Sequence, residues 1–317
     1  MPKFTNTYHA LGTKINLTVY SEIDWPYLDE AYHLIQHYED VLTVNRSKSE
    51  LMSINHASGK HAVKVSSISY QIVKKAVEVS LENDGFNAAI GPLVKLWHIG
   101  FSNAHVPTDE QVQERMKLID PKQIVLNDDE KSVYLLKKGM ELDLGGIAKG
   151  YIADAIKDLW HSNHVERGII DLGGNILLVG DSQHSDKLWN VGVQSPFDHR
   201  SESLGMLHIP DFSIVTSGIY ERFLKSGGHN YHHILDPKTG YPVQNDLVGV
   251  TVVSPMSITG EIWSSLGFYN DYDKTEDLLA DEQDVGLIFV YKDREVRVTK
   301  NLKGKFKITD DSFKLIN

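Results

Sequence analysis

Cysteine is absent from the 317-residue chain. This absence excludes disulfides, thiolate zinc sites and cysteine nucleophiles, and it is compatible with a reducing compartment. Long apolar runs are missing too, since no stretch approaches the roughly 20 apolar residues that span a bilayer. The first residues, MPKFTNTYHALGTK, lack the basic start and apolar run of a secretory signal. We therefore expect a cytoplasmic protein without a membrane partner, and an exported one if the natural chain begins before residue 1.

Positive charge is also scarce. The chain has 32 Lys and Arg against 43 Asp and Glu, which gives a formal net charge of −11. This balance disfavours non-specific attraction to nucleic acid, so we expect no nucleic-acid partner. A polyanionic ligand would need a local site built from backbone amides, a bound cation or a few lysines. The apolar fraction of 41% is that of a globular protein with a substantial core.

Strands and helices alternate along the chain without a low-complexity linker. Many of the predicted strands are joined as hairpins, and this favours an α+β fold over a doubly wound parallel sheet. We expect a single domain over residues 1–317. Apolar spacing predicts strands over 13–20, 123–127, 132–144, 213–218 and 246–255, and helices over 24–42, 67–85, 147–164, 257–270 and 274–283.

The tetrapeptide DLGG occurs twice, at 143–146 and at 171–174. Each copy follows an apolar strand, so each predicts a strand that ends in a glycine turn. The first copy continues into a helix with Lys149 in its first turn, which would aim backbone N–H groups at an anion. It is not a P-loop, because Gly150 follows Lys149 where Ser or Thr is needed. The alternative is a tight strand-to-helix turn with Lys149 on a solvated face.

The stretch YHHILDPKTGYP spans residues 231–242 and contains two adjacent histidines. Neighbouring residues of a strand point to opposite faces, so His232 and His233 would not both ligate one ion from a regular strand. We therefore expect at most one of them to face a given site and the other to lie at the surface. Pro237 and Gly240 indicate a type I turn. Local sequence leaves open whether the other histidine is structural or catalytic.

Two further segments contain residues suited to chemistry. In TGEIWSSL, Glu261 and Ser265 lie four residues apart on one helix face, with Ser264 beside them. Carboxylate and hydroxyl oxygens are hard ligands that suit Mg²⁺. The alternative is an amphipathic helix with Glu261 in its first turn. The segment FNAAIGPLVKLW, at 86–97, is either a functional turn or a helix end that packs its apolar residues.

These segments and several others stand in the order of a known family. They are LGTKINL, SELMSIN, FNAAIGPLVKLW, LDLGGIAKGYIAD, IIDLGGNI, WNVGVQSP, TSGIYERF, HHILDPKTGYPV and VTVVSP. Over nearly its whole length the chain resembles the ApbE family, the FAD:protein FMN transferases. The resemblance implies an ApbE-type (T-fold-like) α+β fold. Mixed, largely antiparallel sheets and flanking helices would form two lobes around a flavin cleft.

The resemblance also implies an activity. Such enzymes use Mg²⁺, take FAD as substrate and transfer FMN to a Thr or Ser hydroxyl of a target flavoprotein, releasing AMP. Two alternatives stay open on the same scaffold. One is a FAD pyrophosphatase that passes FMN to water, and the other is a non-catalytic FAD-binding protein.

Site residues are carried over by position in the matching motifs. His233, not His232, corresponds to the family histidine that would act as general base, so His232 is the one expected at the surface. The residues that correspond to FAD-binding positions are Leu11, Asn45, Asn87, Ala88, Ala89, Asp143, Lys149 and Leu235. The residues that correspond to metal-binding positions are Gly146 (through its carbonyl), Glu261, Ser264 and Ser265.

The chain departs from the family pattern at several of these positions. Glu261 and Ser265 stand where the family commonly has Asp and Thr, and Ser264 stands where a second Asp is frequent. We expect weaker Mg²⁺ binding as a result. Asn45 replaces a common aromatic residue, and Leu11 replaces the usual Met.

Overall fold

The computed structural model describes residues 1–22, 27–82, 85–198 and 202–316. Its helices are α1 (Tyr27–Leu42), α2 (Glu50–His56), α3 (Ser67–Glu82), α4 (Gly91–Trp97), α5 (Asp109–Met116), α6 (Ala148–Ser162) and α7 (Ser257–Leu278). Its strands up to residue 194 are β1 (Lys3–Ala10), β2 (Thr13–Tyr20), β3 (Val63–Lys64), β4 (Ile124–Asn127), β5 (Ser132–Leu135), β6 (Gly168–Asp171), β7 (Ile176–Val179) and β8 (Trp189–Gln194). The later strands are β9 (Ser203–Ile209), β10 (Ser213–Gly218), β11 (Phe223–Ser226), β12 (His229–His232), β13 (Leu247–Ser254), β14 (Gly286–Tyr291), β15 (Glu295–Val298), β16 (Phe306–Ile308) and β17 (Lys314–Leu315).

The contacts divide the chain into two compact units. The first unit comprises Met1–His37, Lys149–Gly218 and Asp246–Asn317, and the second unit comprises Tyr38–Ala148 and Ile219–Asn245.

A nine-stranded sheet forms the centre of the first unit, in the order β1-β2-β6-β7-β10-β13-β14-β15-β17. Each neighbouring pair is antiparallel except β15 and β17. A small sheet of β16, β9 and β8 belongs to the same unit. Helices combined with mostly antiparallel sheets confirm the predicted α+β class.

Strand β13 runs through the interior of this sheet, and each of its eight residues is buried. A strand buried on both faces is expected to be almost uninterruptedly apolar, as LVGVTVVS is. Helix α7 packs against β13 and β10. Gly267 permits the close approach, because a Cβ there would lie 2.9 Å from Cγ1 of Val250.

The start of α7 is fixed by α6. Asp154 of α6 accepts hydrogen bonds from the backbone N–H groups of Ser257 (2.7 Å) and Ile258 (2.9 Å). Helix α7 has no side-chain cap of its own, so Asp154 supplies the cap from another helix. A Cβ at Gly150 would lie 2.6 Å from the Ser257 carbonyl oxygen, so only glycine fits where the two helices meet.

Some element boundaries differ from the sequence predictions. Element α7 consists of two helices separated by a kink at Asp271 (φ 57°, ψ −174°), as predicted by the separate helices over 257–270 and 274–283, although the second helix ends at Leu278 and not at residue 283. The predicted strand 132–144 is wrong beyond Leu135, because the chain turns at Gly139 (φ 89°). The predicted start of α1 at 24–26 and residues 83–84 of the predicted 67–85 helix lie outside the described residues.

The second unit combines α2 to α5 with a three-stranded sheet, β3-β5-β4, and the β11–β12 hairpin. Its apolar core includes Leu93, Trp97, Val112 and Leu235. The Trp97 indole N–H donates to the Gly240 carbonyl oxygen at 2.9 Å. This contact anchors the turn that follows the two histidines onto α4.

Among the described residues, the structure contains no helix with the length and apolar character needed to cross a membrane.

Candidate active site

The predicted site residues belong to both units. Leu11, Lys149, Glu261, Ser264 and Ser265 lie in the first unit, and the second contains Asn45, Asn87, Ala88, Ala89, Asp143, Gly146, His233 and Leu235.

In the first unit, Glu261 is a buried carboxylate that contacts an amide donor and lies near an ammonium group. The side chain is 7% exposed, and its Oε1 accepts a 2.7 Å hydrogen bond from Asn175 Nδ2. The Lys149 ammonium, in the first turn of α6, lies 3.8 Å from the same oxygen. An uncompensated buried charge is strongly unfavourable, and the Asn175 amide and the Lys149 ammonium supply compensating positive charge. The sequence prediction placed Lys149 and Glu261 in one site, and the structure brings them together.

The two serines after Glu261 differ in their surroundings. Ser264 is fully buried, and its hydroxyl donates to the Glu261 carbonyl oxygen at 2.9 Å. It is also 2.9 Å from the Ser217 hydroxyl, so both contacts hold it inside the unit. Ser265 is half-buried, one helical turn after Glu261. Glu261 and Ser265 therefore have the oxygen chemistry that suits Mg²⁺, whereas the Ser264 hydroxyl is engaged in packing α7.

Among the described residues, no histidine or second carboxylate joins Glu261 and Ser265 in a metal-binding cluster. The described residues contain no cluster of three or more His, Asp or Glu side chains arranged to hold a metal ion. A cation bound here would take most of its ligands from substrate phosphates and water, as Mg²⁺ commonly does.

Leu11 lies at the tip of the β1–β2 hairpin. It has φ 55° and is followed by Gly12 with φ 70°, the pair of positive angles typical of a type I′ turn. A leucine in this region costs roughly 1–2 kcal/mol relative to an ordinary conformation. Such strain is compatible with a functional position, and the role of Leu11 in FAD binding stays a prediction.

In the second unit, the first DLGG segment is joined to the 87–89 turn. The Asp143 N–H donates to the Ala88 carbonyl oxygen at 2.9 Å, and the Asp143 carboxylate accepts from the Gly145 N–H at 2.8 Å. Burial, together with Glu141, raises the pKa of Asp143 above its ordinary value. Two groups of predicted FAD-binding residues are thus adjacent. Gly146, the last residue of the first DLGG segment, is exposed.

The other predicted FAD-binding residues of this unit have structural partners. Asn87 donates to the Ile119 carbonyl oxygen at 2.8 Å and accepts from the Ala89 N–H at 2.8 Å. Leu235 is buried in the core around Trp97. Asn45 is exposed, and its backbone N–H donates to the Thr43 hydroxyl. Their contacts with FAD stay predictions.

His233 follows strand β12 and is oriented by Arg222. The Arg222 carbonyl oxygen accepts from the backbone N–H and from ring Nδ1 of His233, each at 3.2 Å. Because a carbonyl only accepts, Nδ1 carries the proton and Nε2 keeps its lone pair. The side chain is exposed, but the surrounding protein withdraws part of the ring from water, and this desolvation, together with the nearby positive charge of Arg222, lowers the pKa of His233 below its ordinary value. The pKa of His233 is lowered to about 4. The imidazole is therefore neutral at physiological pH.

The prediction that His232 is a surface residue is wrong. Its side chain is half-buried, with Nε2 2.8 Å from the Val243 carbonyl oxygen, and the Ile234 N–H donates to its Nδ1 at 3.3 Å. His232 therefore ties the two sides of the turn together. Sequence reasoning did not find this role because Val243 lies beyond the bend.

Comparison with known proteins assigns the chain to one family. The model of the ApbE family matches residues 11–289. The chain belongs to the ApbE family. It is 41% identical over 308 residues to the FAD:protein FMN transferase of Klebsiella pneumoniae, covering 97% of this chain and 95% of that protein. It is 34% identical to the FAD:protein FMN transferase of Treponema pallidum, over 96% and 89% of the two chains.

Solved structures of the ApbE family share the fold. The ApbE protein of Thermotoga maritima matches with a TM-score of 0.87 and 26% identity, over 96% of this chain and 99% of that one. The flavin transferase ApbE of Vibrio cholerae matches with a TM-score of 0.82 and 24% identity, over the same shares. The predicted ApbE-type fold is confirmed.

The sequence analysis missed three residues that position other residues, two in the first unit and one in the second. Asp154 caps α7, Asn175 contacts Glu261, and the Arg222 carbonyl orients His233. Asp154, Asn175 and Arg222 all lie inside the quoted motifs, but their partners are distant in sequence or are backbone atoms. Of these three residues, only Asn175 could have been suspected from the sequence, because it directly follows the second DLGG segment.

Proposed function

We propose that this protein is a Mg²⁺-dependent FAD:protein FMN transferase that modifies a Thr or Ser hydroxyl of a target flavoprotein. The observation that carries the proposal is its 41% identity to a protein of that name across 97% of the chain. In the reaction, the acceptor oxygen forms a bond to the FMN phosphorus while the pyrophosphate P–O bond to AMP breaks. The hydroxyl proton has to be removed in the same process.

His233 is our candidate for the base that takes this proton. Its ring is neutral, Nδ1 is committed to the Arg222 carbonyl, and no described residue hydrogen-bonds Nε2. Exposure of the side chain allows a hydroxyl group to approach Nε2. A general base needs its lone pair within hydrogen-bond distance of the proton it removes, and His233 meets the local requirements for this.

Glu261 and Ser265 are the first-unit residues that would hold Mg²⁺. A bound cation would neutralise the negative charge that develops on the pyrophosphate during transfer. Lys149, 3.8 Å from Glu261 Oε1, is placed to add positive charge beside the same carboxylate. We propose that it contacts phosphate oxygens of FAD. Gly146 stays a predicted carbonyl ligand.

Transfer is tested by mixing the protein with FAD, Mg²⁺ and an acceptor domain that carries the flavinylation motif. Intact-mass spectrometry should show one FMN moiety on the acceptor, and chromatography should show an equal amount of AMP. An acceptor whose target Thr or Ser is replaced by Ala is the matched control. If FAD binds but no adduct forms at saturating Mg²⁺, the transferase proposal is refuted.

Hydrolysis of FAD to FMN and AMP is the second candidate. The exposure of His233 favours it, because water has the same access to Nε2 as a protein hydroxyl. Free FMN formed without any acceptor, at a rate comparable with transfer, would support this second activity.

A further inference from the structure

We propose that Asn175 is a positioning residue that holds the Glu261 carboxylate in the orientation needed to bind a divalent cation. The inference rests on the proposed function, because it concerns the same cation. Asn175 is 1% exposed, and its Nδ2 donates to Glu261 Oε1 at 2.7 Å. This direct contact joins residues 86 positions apart in the chain.

The orientation of the Asn175 amide is determined by its two partners. An ionised carboxylate only accepts, so the NH₂ group must face Glu261. The amide oxygen then faces Ser257, whose hydroxyl donates to it at 2.7 Å. Ser257 is fully buried at the first position of α7, and its N–H is held by Asp154. A buried polar network therefore fixes the amide before any ligand binds.

The second DLGG segment places Asn175 at this point. The Asp171 carboxylate accepts from the Gly174 N–H at 2.9 Å, and Gly173 and Gly174 have φ angles of 74° and 99°. A Cβ at Gly173 would lie 2.2 Å from the Thr13 hydroxyl oxygen. Both glycines are therefore required to turn the chain tightly enough to bring Asn175 under α7.

Fixing this carboxylate is important because glutamate is flexible. With Oε1 held by the Asn175 amide, the remaining lone pairs of the Glu261 carboxylate face a limited set of directions. Removing the outer partner of a ligating group typically weakens metal binding about 10–100-fold. We expect Asn175 to act through Glu261 and not to touch the substrate.

The test is the affinity of Mg²⁺ for the protein saturated with ADP, measured by titration calorimetry. The Asn175→Leu variant should bind Mg²⁺ at least about tenfold more weakly than the wild-type protein. The matched control is Ser213→Ala, which removes a buried hydroxyl that donates to the Ile176 carbonyl oxygen but does not touch Glu261. This control should stay within about twofold of the wild-type affinity.

A double-mutant cycle separates positioning from general structural damage. In a Glu261→Gln background, Asn175→Leu should change Mg²⁺ affinity by less than about twofold, because its partner is already altered. An equal loss in both backgrounds would overturn the inference. If Asn175→Leu does not fold, Ser257→Ala is the second variant. It frees the amide to rotate and should weaken Mg²⁺ binding by several-fold, and no change would overturn the inference.

The outcomes also separate this inference from the proposed function. If the wild-type protein binds Mg²⁺ with the expected dependence on Asn175 but transfers no FMN, the proposed function is refuted and the inference stands. If the wild-type protein binds no Mg²⁺, the inference is overturned together with the metal dependence of the reaction. If transfer occurs and Asn175→Leu binds Mg²⁺ like the wild type, only the inference is overturned.

Discussion

Replacement of the adjacent histidines, His232 and His233, should separate an effect on transfer from an effect on stability. Replacing His233 by Ala removes a neutral imidazole whose Nδ1 is bound to the Arg222 carbonyl. If Nε2 accepts the proton of the acceptor hydroxyl, transfer should slow by about 10²–10⁴-fold. This corresponds to roughly 3–5 kcal/mol of activation free energy. Since the lost hydrogen bond is partly exposed, the free energy of unfolding should fall by less than about 1 kcal/mol.

Replacing His232 by Ala should produce the opposite pattern. This side chain is half-buried and makes two hydrogen bonds, to the Val243 carbonyl and from the Ile234 N–H. At about 1 kcal/mol each, their loss should lower the free energy of unfolding by roughly 1–3 kcal/mol, including the polar groups left unpaired. The chemical step should change far less than in His233→Ala.

The assay is single-turnover transfer at saturating FAD and Mg²⁺, followed by intact mass of the acceptor. Urea denaturation gives stability, and quenching of flavin fluorescence gives FAD affinity. FAD affinity should be largely kept in the His233→Ala variant. If His232→Ala slows transfer as much as His233→Ala does, or if His233→Ala transfers FMN at more than about a tenth of the wild-type rate, the assignment of His233 as base is refuted.

Three further predictions concern charge and capping. The pKa of His233 is lowered, so its neutral form persists to a lower pH than in an ordinary histidine. The acid limb of the pH profile of kcat/KM, which reports the free enzyme, should therefore lie below pH ~6.5. An acid limb above this value would contradict the lowered pKa of His233. Asp154→Ala removes the cap of α7 and should lower the free energy of unfolding, measured in urea, by about 0.5–2 kcal/mol. Asp154→Asn should recover part of this loss. An unchanged midpoint of the urea transition in Asp154→Ala would show that the cap is dispensable. Lys149→Met removes the positive charge beside Glu261, so calorimetry should show weaker FAD binding. Because the ammonium and a bound cation would compete for the same carboxylate, Mg²⁺ binding without nucleotide should be unchanged or tighter. Weaker Mg²⁺ binding in this variant would contradict that competition.

Much of the fold could be predicted from the sequence because it depends on local periodicity. The strand predicted over 213–218 is β10, Ser213–Gly218, and the apolar run around 246–255 contains the buried strand β13. The helices predicted over 257–270 and 274–283 correspond to the two parts of α7 on either side of the kink at Asp271, but the contact made by the Asp271 side chain could not be predicted in this way. The Tyr291 hydroxyl, from strand β14, donates to the Asp271 carboxylate at 2.6 Å, and local spacing contains no information on such a contact.

The candidate site could be predicted only in part, for a similar reason. Motif positions identified His233, Asp143, Lys149 and Glu261, and the structure shows Lys149 beside Glu261. The contacts that orient these groups come from backbone carbonyls and distant side chains. Asn175 reaches Glu261 because two glycines turn the chain, and the sequence indicates the turn without indicating its target.

The proposal that this protein transfers FMN is tested most directly by counting products in one reaction. Wild-type protein, FAD, Mg²⁺ and the acceptor domain are incubated, and covalent FMN, free FMN and AMP are quantified together by mass spectrometry. We predict that AMP and covalent FMN rise in equal amounts with little free FMN, and that both vanish when the acceptor hydroxyl is removed. AMP matched by free FMN alone, whether or not the acceptor is present, would contradict transfer and identify the protein as a FAD pyrophosphatase.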